Sequence, residues 1–507
     1  MMVKEPLASW KGEAVKAAME EEIHSLIGMG TWELVEHPRG VNIMKNRWVL
    51  TTKYRIDDTV EREKSRLVVK GFTQVCGADY DETYYPVSSY VTLRIFLSIV
   101  AVLDLNLMQL DMKNAFLQSK LDRVLYMYQP DYFNNGTGRV CKLLKSLYWL
   151  KQSPLLWYRA LNGVLLGAGW KKSQVDEALY FKASENGVNC WVLVYVDDML
   201  AASSSPAMLN ELKGLLEAAF ELREISPIVK YLGLEIVRDR PARKLWLHQQ
   251  DYTNKLRRCF IDEEQGGRVP KTPVSVDAYA KLTFDNEEAQ EREEEEYQQK
   301  QAGERPHGEE RPALARGRSL PCENNRQRNG VALESKSLEL IGYVDADDAG
   351  DKQNRTSRGG YVFIYEGAAV SWSSSHIKCA TLSSTGSEYV AAMNAGKEGH
   401  RLCFLLAEFK PLDAGKPTIL RVDNKSAITV AEGLRLTGNL KHMERRYAWL
   451  QHMVRHVKFV LKYIPTTEQL ADFLTKALHL PDFNRCSVAI GQVHLADVGN
   501  GDDDMQQ

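Results

Sequence analysis

Tyr195-Val196-Asp197-Asp198 sets two adjacent carboxylates after an apolar run of strand length, residues 191–196, and the apolar texture resumes at Met199-Leu200-Ala201. The pattern reads as a tight hairpin, and a turn is the ordinary use of an isolated Asp pair. Two features point further. Adjacent carboxylates at the end of a buried strand need a compensating cation. A third acid, Asp111, ends another short strand, residues 105–111. Carboxylates converging from neighbouring strands form a hard oxygen site suited to Mg2+. Two such ions about 3.5–4 Å apart can activate a 3′-hydroxyl and stabilise a leaving pyrophosphate in an in-line displacement.

A second set of acids lies toward the C-terminus. Asp345 ends a strand in Gly342-Tyr343-Val344-Asp345, Glu388 begins a helical stretch, Asp423 ends a strand and Asp472 falls on a last helical stretch. Singly, each has a plain reading as turn residue, dipole partner, cap or solvated face. Together they form an ordered Asp, Glu, Asp, Asp pattern. His452 and His456 are four residues apart, but Met453 stands where a zinc-protease motif needs Glu, so they read as ordinary helix residues.

The elements that must position these acids are legible in outline. Residues 48–54 and 60–69 read as a hairpin around Asp57-Asp58, residues 92–103 as a helix, and 105–111 as a strand leading into another helix. Further on, 338–344, 360–365 and 418–422 read as strands, and 387–409 and 469–478 as helices. Thr466 and Gln469 suggest a capping box for the last of these. The 507 residues, with a net charge of −2, suit about three domains and large cores. No run approaches the roughly 20 apolar residues of a membrane span. The N-terminus has no signal-peptide core, and eight scattered cysteines without a Cys-x-x-Cys pair indicate reduced thiols, so an intracellular protein is expected. Local charge departs from the total: eight Lys/Arg against four Asp/Glu from Lys45 to Lys70, and seven against one from Arg435 to Lys462. Such stretches suit a phosphate backbone or, more commonly, a solvated face. Residues 287–318 hold sixteen charged side chains in thirty-two and too few apolar groups to offset ordering entropy, so the 283–335 stretch is expected to be disordered or an extended charged helix.

The first 275 or so residues resemble the reverse transcriptase of copia-type retrotransposons. The resemblance rests on ordered segments: Gly30-Thr31-Trp32-Glu33-Leu34-Val35; Arg66-Leu67-Val68-Val69-Lys70-Gly71-Phe72; Asp79-Tyr80 to Pro86-Val87; the Asp111 segment; Leu147-Tyr148; Leu150-Lys151-Gln152-Ser153-Pro154; Tyr195–Asp198; and Tyr231-Leu232-Gly233-Leu234. It implies a right-hand (fingers, palm, thumb) polymerase in which Asp111, Asp197 and Asp198 hold metal. Arg66 and Lys70 would neutralise the incoming triphosphate, Phe116 would exclude a ribose 2′-hydroxyl, and the segment around Gly233 would grip the primer. Lys151, in the motif beside the nucleotide pocket, would bind substrate. The C-terminal region resembles the ribonuclease H domain of the same elements, through Gly360-Tyr361, Ser371-Trp372, Lys441-His442 and Ala471-Asp472-Phe473-Leu474-Thr475-Lys476. By this likeness Asp345, Glu388, Asp423 and Asp472 hold two Mg2+ ions. The expected fold is therefore α/β and α+β multidomain: a polymerase at 8–275, a charged connection at 283–335, a ribonuclease H-like α/β domain at 338–480 and a tail at 481–507. Expected cofactors are Mg2+, with Mn2+ as a substitute. Expected partners are an RNA template, a DNA primer, the RNA–DNA hybrid and deoxynucleoside triphosphates, met in a cytoplasmic particle or the nucleus.

The chain also departs from its family. Trp149 stands where the family has Gly, a place where the backbone comes close to substrate. Leu155 stands where Arg is usual, and Gly386-Ser387 replace Glu-Ala before Glu388. The family's patterned connection is unrecognisable in 283–335, as a frameshift or misassembled reading frame would leave it. A catalytically inactive relic, or a nucleic-acid-binding remnant, is the alternative to an active enzyme.

Overall fold

The computed structural model describes residues 12–54, 59–184, 187–260, 329–333, 339–348, 356–377, 383–409, 416–433 and 445–494. The Asp57-Asp58 turn, residues 283–328 and Lys441-His442 lie outside them. The chain divides into two compact units, residues 1–88 with 106–227, and residues 89–105 with 228–507.

In the first unit a six-stranded sheet runs in the order Leu222–Ile225, Asn106–Met112, Asp198–Ser203, Asn189–Tyr195, Leu179–Ala183, Lys171–Lys172. Every pairing in it is antiparallel. Met108, Leu110 and Met112 alternate into a core shared with helices Ser153–Gly167 and Pro206–Ala219, through Trp157, Leu161, Leu209 and Leu212. The period-two rule then sends Gln109 and Asp111 to the opposite face. A second core joins helix Gly12–Gly28, by Val15, Met19, Ile23 and Leu26 at helical spacing, to Trp48, Leu67 and Val69 of the hairpin Asn46–Tyr54/Val60–Val69. The expected hairpin is present, but Asn106–Met112 leads into the short 3-10 turn Ala115–Gln118 rather than a helix.

In the second unit helix Tyr90–Val102 starts at Ser89, whose hydroxyl accepts from Thr92 N. Its residues from Ile95 to Val102 are all buried, and the Phe96 ring meets Phe409 edge-on at 6.2 Å. One sheet has the order Ala368–His376, Arg358–Tyr365, Ile341–Asp347, Thr418–Val422, Phe459–Tyr463. Its first three strands are antiparallel and the remaining pairings parallel. The 26-residue helix Ser384–Phe409 lies against it. A further sheet joins Lys230–Tyr231, Leu234–Asp239 and Lys244–His248 to Asn329–Leu333 and Gln492–His494.

Three expectations need correction. Residues 469–478 form no α-helix: the chain makes 3-10 turns at Thr466–Glu468 and Asp472–Leu474. The supposed capping groups are engaged elsewhere, Thr466 Oγ1 donating to Asp423 Oδ2 at 2.9 Å and Gln469 Nε2 to the Val344 carbonyl at 2.7 Å. The end of the charged connection supplies the paired strand Asn329–Leu333. The expected tail continues as helix Leu480–Ala489 and strand Gln492–His494. Among the described residues no helix is long and apolar enough to cross a membrane.

Candidate active sites

Asp111 and Asp198 face each other directly across the antiparallel pair, and Tyr195 faces Asp198 across the hairpin. Directly opposed side chains on one sheet face start about 4.5–5.5 Å apart at Cβ. The turn between them is strained, because Val196 adopts φ 58°, a rare conformation for a β-branched residue. It is held by two hydrogen bonds: the Trp157 indole donates to the Val196 carbonyl at 2.6 Å, and Met112 N to the Asp197 carbonyl at 2.8 Å. Burial, with Asp197 and Asp111 adding repulsion, pushes the Asp198 carboxyl up to about 6. Asp197 is raised too, by burial and then by Asp111, while Arg66 and Lys64 pull it back. On the other side of Asp111, Arg223 is its cross-strand partner and donates Nε to Oδ2 at 2.8 Å.

Phe116 lies in the Ala115–Gln118 turn with its ring against the edge of Tyr148 at 5.8 Å. The Tyr148 hydroxyl donates to Asn114 Oδ1 at 3.0 Å, and the Arg66 guanidinium lies 5.7 Å from the Tyr148 ring centroid. Asp111, Asp197, Asp198, Arg66 and Phe116 are thus gathered in one neighbourhood. Lys70 adjoins it at the end of Val60–Val69, where its N donates to the Lys45 carbonyl. Lys151 is directed elsewhere, donating Nζ to the Tyr80 hydroxyl at 2.9 Å. Gly233, with φ 77°, forms the turn between Lys230–Tyr231 and Leu234–Asp239 in the second unit. Sequence reading missed Lys64, Tyr148 and Arg223. Lys64 could have been found by its period-two spacing from Arg66, whereas Arg223 has no local signal.

Two of the departures acquire a geometry. Trp149 has φ 69°, in the left-handed region that Gly takes freely, and its carbonyl lies so near Gly71 that a Cβ there would come within 2.1 Å. Leu155 is buried in helix Ser153–Gly167.

The second set converges more tightly. The parallel register pairs Val344 with Val422, so Asp345 and Asp423, each one residue further, end side by side. The turn Asp472–Leu474 brings in the third acid, and one ligand oxygen from each of Asp345, Asp423 and Asp472 lies within 4.8 Å of the others. Among the described residues no other three His, Cys, Asp or Glu side chains meet so closely. Thr475 Oγ1 donates to Asp345, and Lys476 Nζ sits 2.9 Å from Asp472 and 3.9 Å from Asp345. Both residues were missed as site members, although they adjoin the acid in the quoted motif. Glu388, in the second turn of Ser384–Phe409, accepts from Ala346 N at 3.3 Å through Oε1. Its Oε2 is buried with no hydrogen-bond partner among the described residues. Burial, with Asp345 and Asp423 adding repulsion, pushes Glu388 up to about 9, and burial raises Asp345 to about 6 despite Lys476. An orphaned carboxylate oxygen beside three clustered acids, all hard donors, fits a divalent cation such as Mg2+. Ser387, where the family has Ala, donates its hydroxyl to Asp348 Oδ1 at 2.6 Å with Ser357 Oγ 3.1 Å away, fastening the helix beside Glu388.

Comparison with known proteins identifies the family. The family model described as "Reverse transcriptase (RNA-dependent DNA polymerase)" matches residues 29–270. The retrovirus-related Pol polyprotein from transposon TNT 1-94 of Nicotiana tabacum is 33% identical over 524 residues, spanning 96% of this chain and 38% of that protein. The corresponding polyprotein from transposon RE1 of Arabidopsis thaliana is 32% identical, spanning 95% of this chain and 34% of that protein. Among solved structures, a foamy viral protease-reverse transcriptase in complex with double-stranded DNA is 13% identical with a TM-score of 0.43, covering 89% of this chain and 70% of that one. By its ordered motifs and its near full-length match to these polyproteins, the chain belongs to the copia-type retrotransposon Pol family, as the reverse transcriptase region followed by a ribonuclease H-like domain.

Proposed function

We propose that the chain is an RNA-directed DNA polymerase with a linked ribonuclease H, both working by phosphoryl transfer at carboxylate sites that take Mg2+ or Mn2+. The observation that carries the reading is the meeting of Asp345, Asp423 and Asp472 beside the orphaned Glu388 oxygen. The division of labour is polymerase in 8–275 and nuclease in 338–480. When bound, divalent cations would supply Lewis-acid activation of the attacking oxygen and neutralise charge on the leaving one.

The chain's own residues do the rest. In the polymerase, Asp111 on one strand and Asp197 and Asp198 at the strained turn opposite it would supply hard oxygen ligands. Arg66, Lys64 and Lys70 offer positive charge to a triphosphate, and Phe116 crowds the sugar. Gly233 serves the primer end, and Lys151 steadies the loop at Tyr80. In the nuclease, Asp345, Glu388, Asp423 and Asp472 hold the ions, and Lys476 offsets their repulsion. The basic stretch 435–462, whose first ten residues lie outside the described residues, would meet the hybrid's phosphates and read its backbone and groove shape. The partners are an RNA template, a DNA primer, deoxynucleoside triphosphates and the RNA–DNA hybrid, in an intracellular particle or the nucleus.

The test is Mg2+-dependent primer extension on an RNA template, with cleavage of a labelled hybrid assayed separately. Extension and cleavage are the expected results. Cleavage that persists in Asp423→Asn would remove the nuclease assignment. One observation favours the second reading, an inactive relic: Trp149 holds a conformation that suits Gly. A protein that neither extends a primer nor cuts a hybrid is that relic.

A further inference from the structure

One face of the Asn46–Tyr54/Val60–Val69 hairpin is basic and ends on two consecutive aromatic rings. Arg47 pairs with Val68, Val49 with Arg66 and Thr51 with Lys64, so Arg47, Arg66 and Lys64 share a face. That face acts electrostatically on Asp197, through Arg66 and Lys64. Its two guanidiniums stack on neighbouring residues: Arg66 on Tyr148, and Arg47 on Trp149 at 4.5 Å from the ring centroid. The two aromatics differ in how they are used. Tyr148 is half-buried, with its edge on Phe116 and its hydroxyl on Asn114. Trp149 is 51% exposed.

An exposed indole on a left-handed backbone gains little from burial to offset the strain it carries. Apart from the contact with Arg47, folding gives little reason for the largest side chain at this position. An aromatic face next to a basic surface is what a nucleobase needs: stacking on the ring, with the phosphates toward the cations.

We propose that Trp149, backed by Arg47, is a stacking shelf for a nucleobase, either of an unpaired template strand or of the incoming nucleotide. The proposal rests on the polymerase reading. It opposes the view that the indole merely obstructs the pocket, and the two predict opposite signs. Obstruction predicts that Trp149→Gly binds tighter; a shelf predicts that it binds more weakly.

The experiment uses the full chain with Trp149→Gly and Trp149→Phe. One arm measures fluorescence anisotropy of a labelled single-stranded RNA and of an abasic strand of equal length. The other titrates a deoxynucleoside triphosphate into the complex with primer–template and Ca2+, so that turnover is not required. Trp149→Gly is expected to lose on the order of ten-fold in affinity for the base-bearing ligand, the scale of one stacked base. Trp149→Phe keeps a ring and stays within about three-fold. The abasic strand binds all three proteins alike. A loss confined to the RNA arm identifies a template base, and a loss confined to the nucleotide arm identifies the incoming base. Unchanged or tighter binding by Trp149→Gly, or an equal loss on the abasic strand, overturns the shelf alone. If the wild-type chain binds neither ligand, the polymerase reading fails and the shelf falls with it. Glycine suits the local φ, so Trp149→Gly should not melt earlier than wild type; thermal denaturation separates lost contact from lost fold.

Discussion

The two carboxylate sets solve the same problem with opposite sheet geometries. In the first, antiparallel pairing sets Asp198 across from Asp111 on an open sheet face, and a strained turn carries Asp197. In the second, parallel pairing ends Asp345 and Asp423 side by side at one sheet edge, where a 3-10 turn delivers Asp472 and a helix delivers Glu388. The open set is partly neutralised by an exposed arginine, Arg223. The closed set buries Asp345, Glu388 and Asp472 and has Lys476 among them. The difference teaches that the closed site sets four acids, three of them buried, around one lysine, and so stands to gain more from a divalent cation.

The largest expected effects come from breaking one set at a time. Asp345→Asn should lower hybrid cleavage by on the order of 10²–10³-fold or more, the scale of losing a preorganised electrostatic group. Primer extension by the same variant should be unchanged, and Asp198→Asn should give the reciprocal result. Loss of both activities in either variant would mean that the sets are not independent.

The pH dependence of stability should follow, with its sign set by the raised carboxyls. Glu388 moves from an ordinary 4.5 to about 9, and Asp345 and Asp198 from 3.8 to about 6. An acid raised in the folded state contributes stability that is full below its ordinary value and is lost as pH rises through the raised one. Metal-free protein should therefore unfold at lower urea as pH rises from 5 toward 9, and Glu388→Gln should flatten that slope. Mg2+ at a hundred times its dissociation constant should restore about 2.7 kcal/mol. A urea midpoint that is insensitive to Mg2+ at pH 8 would contradict a cation site in the closed set.

A smaller effect sharpens the open set. Arg223→Gln frees Asp111 from its cation and should lower the Mg2+ needed for half-maximal extension by about two- to five-fold, as befits an exposed pair worth under about 1 kcal/mol. A raised requirement would make Arg223 a supporting residue instead of a competitor. An effect on stability more than on activity is expected from Ser387→Ala, which restores the family residue and removes the bond to Asp348. It should cost about 1 kcal/mol in unfolding free energy, with cleavage reduced only to the extent that Glu388 is less firmly held.

What the sequence determined by itself was the chemistry and its order along the chain. The ordered motifs named the family, and every strand expected to carry an acid forms within a few residues of its expected bounds, because apolar runs with turn residues are local signals. Reading failed where local groups serve distant partners. Thr466 and Gln469 look like a capping box, yet in the fold Thr466 holds Asp423 and Gln469 holds the Asp345 strand, so the expected helix gives way to turns. Only the tertiary structure decided how the acids meet and which partners they find. Register aligns Asp345 with Asp423 and Asp111 with Arg223, and register is fixed by pairing between segments far apart in the chain, which no local pattern encodes. It also gave Trp149 its meaning: a residue that looks like damage in the sequence stands in the structure as an exposed ring backed by Arg47.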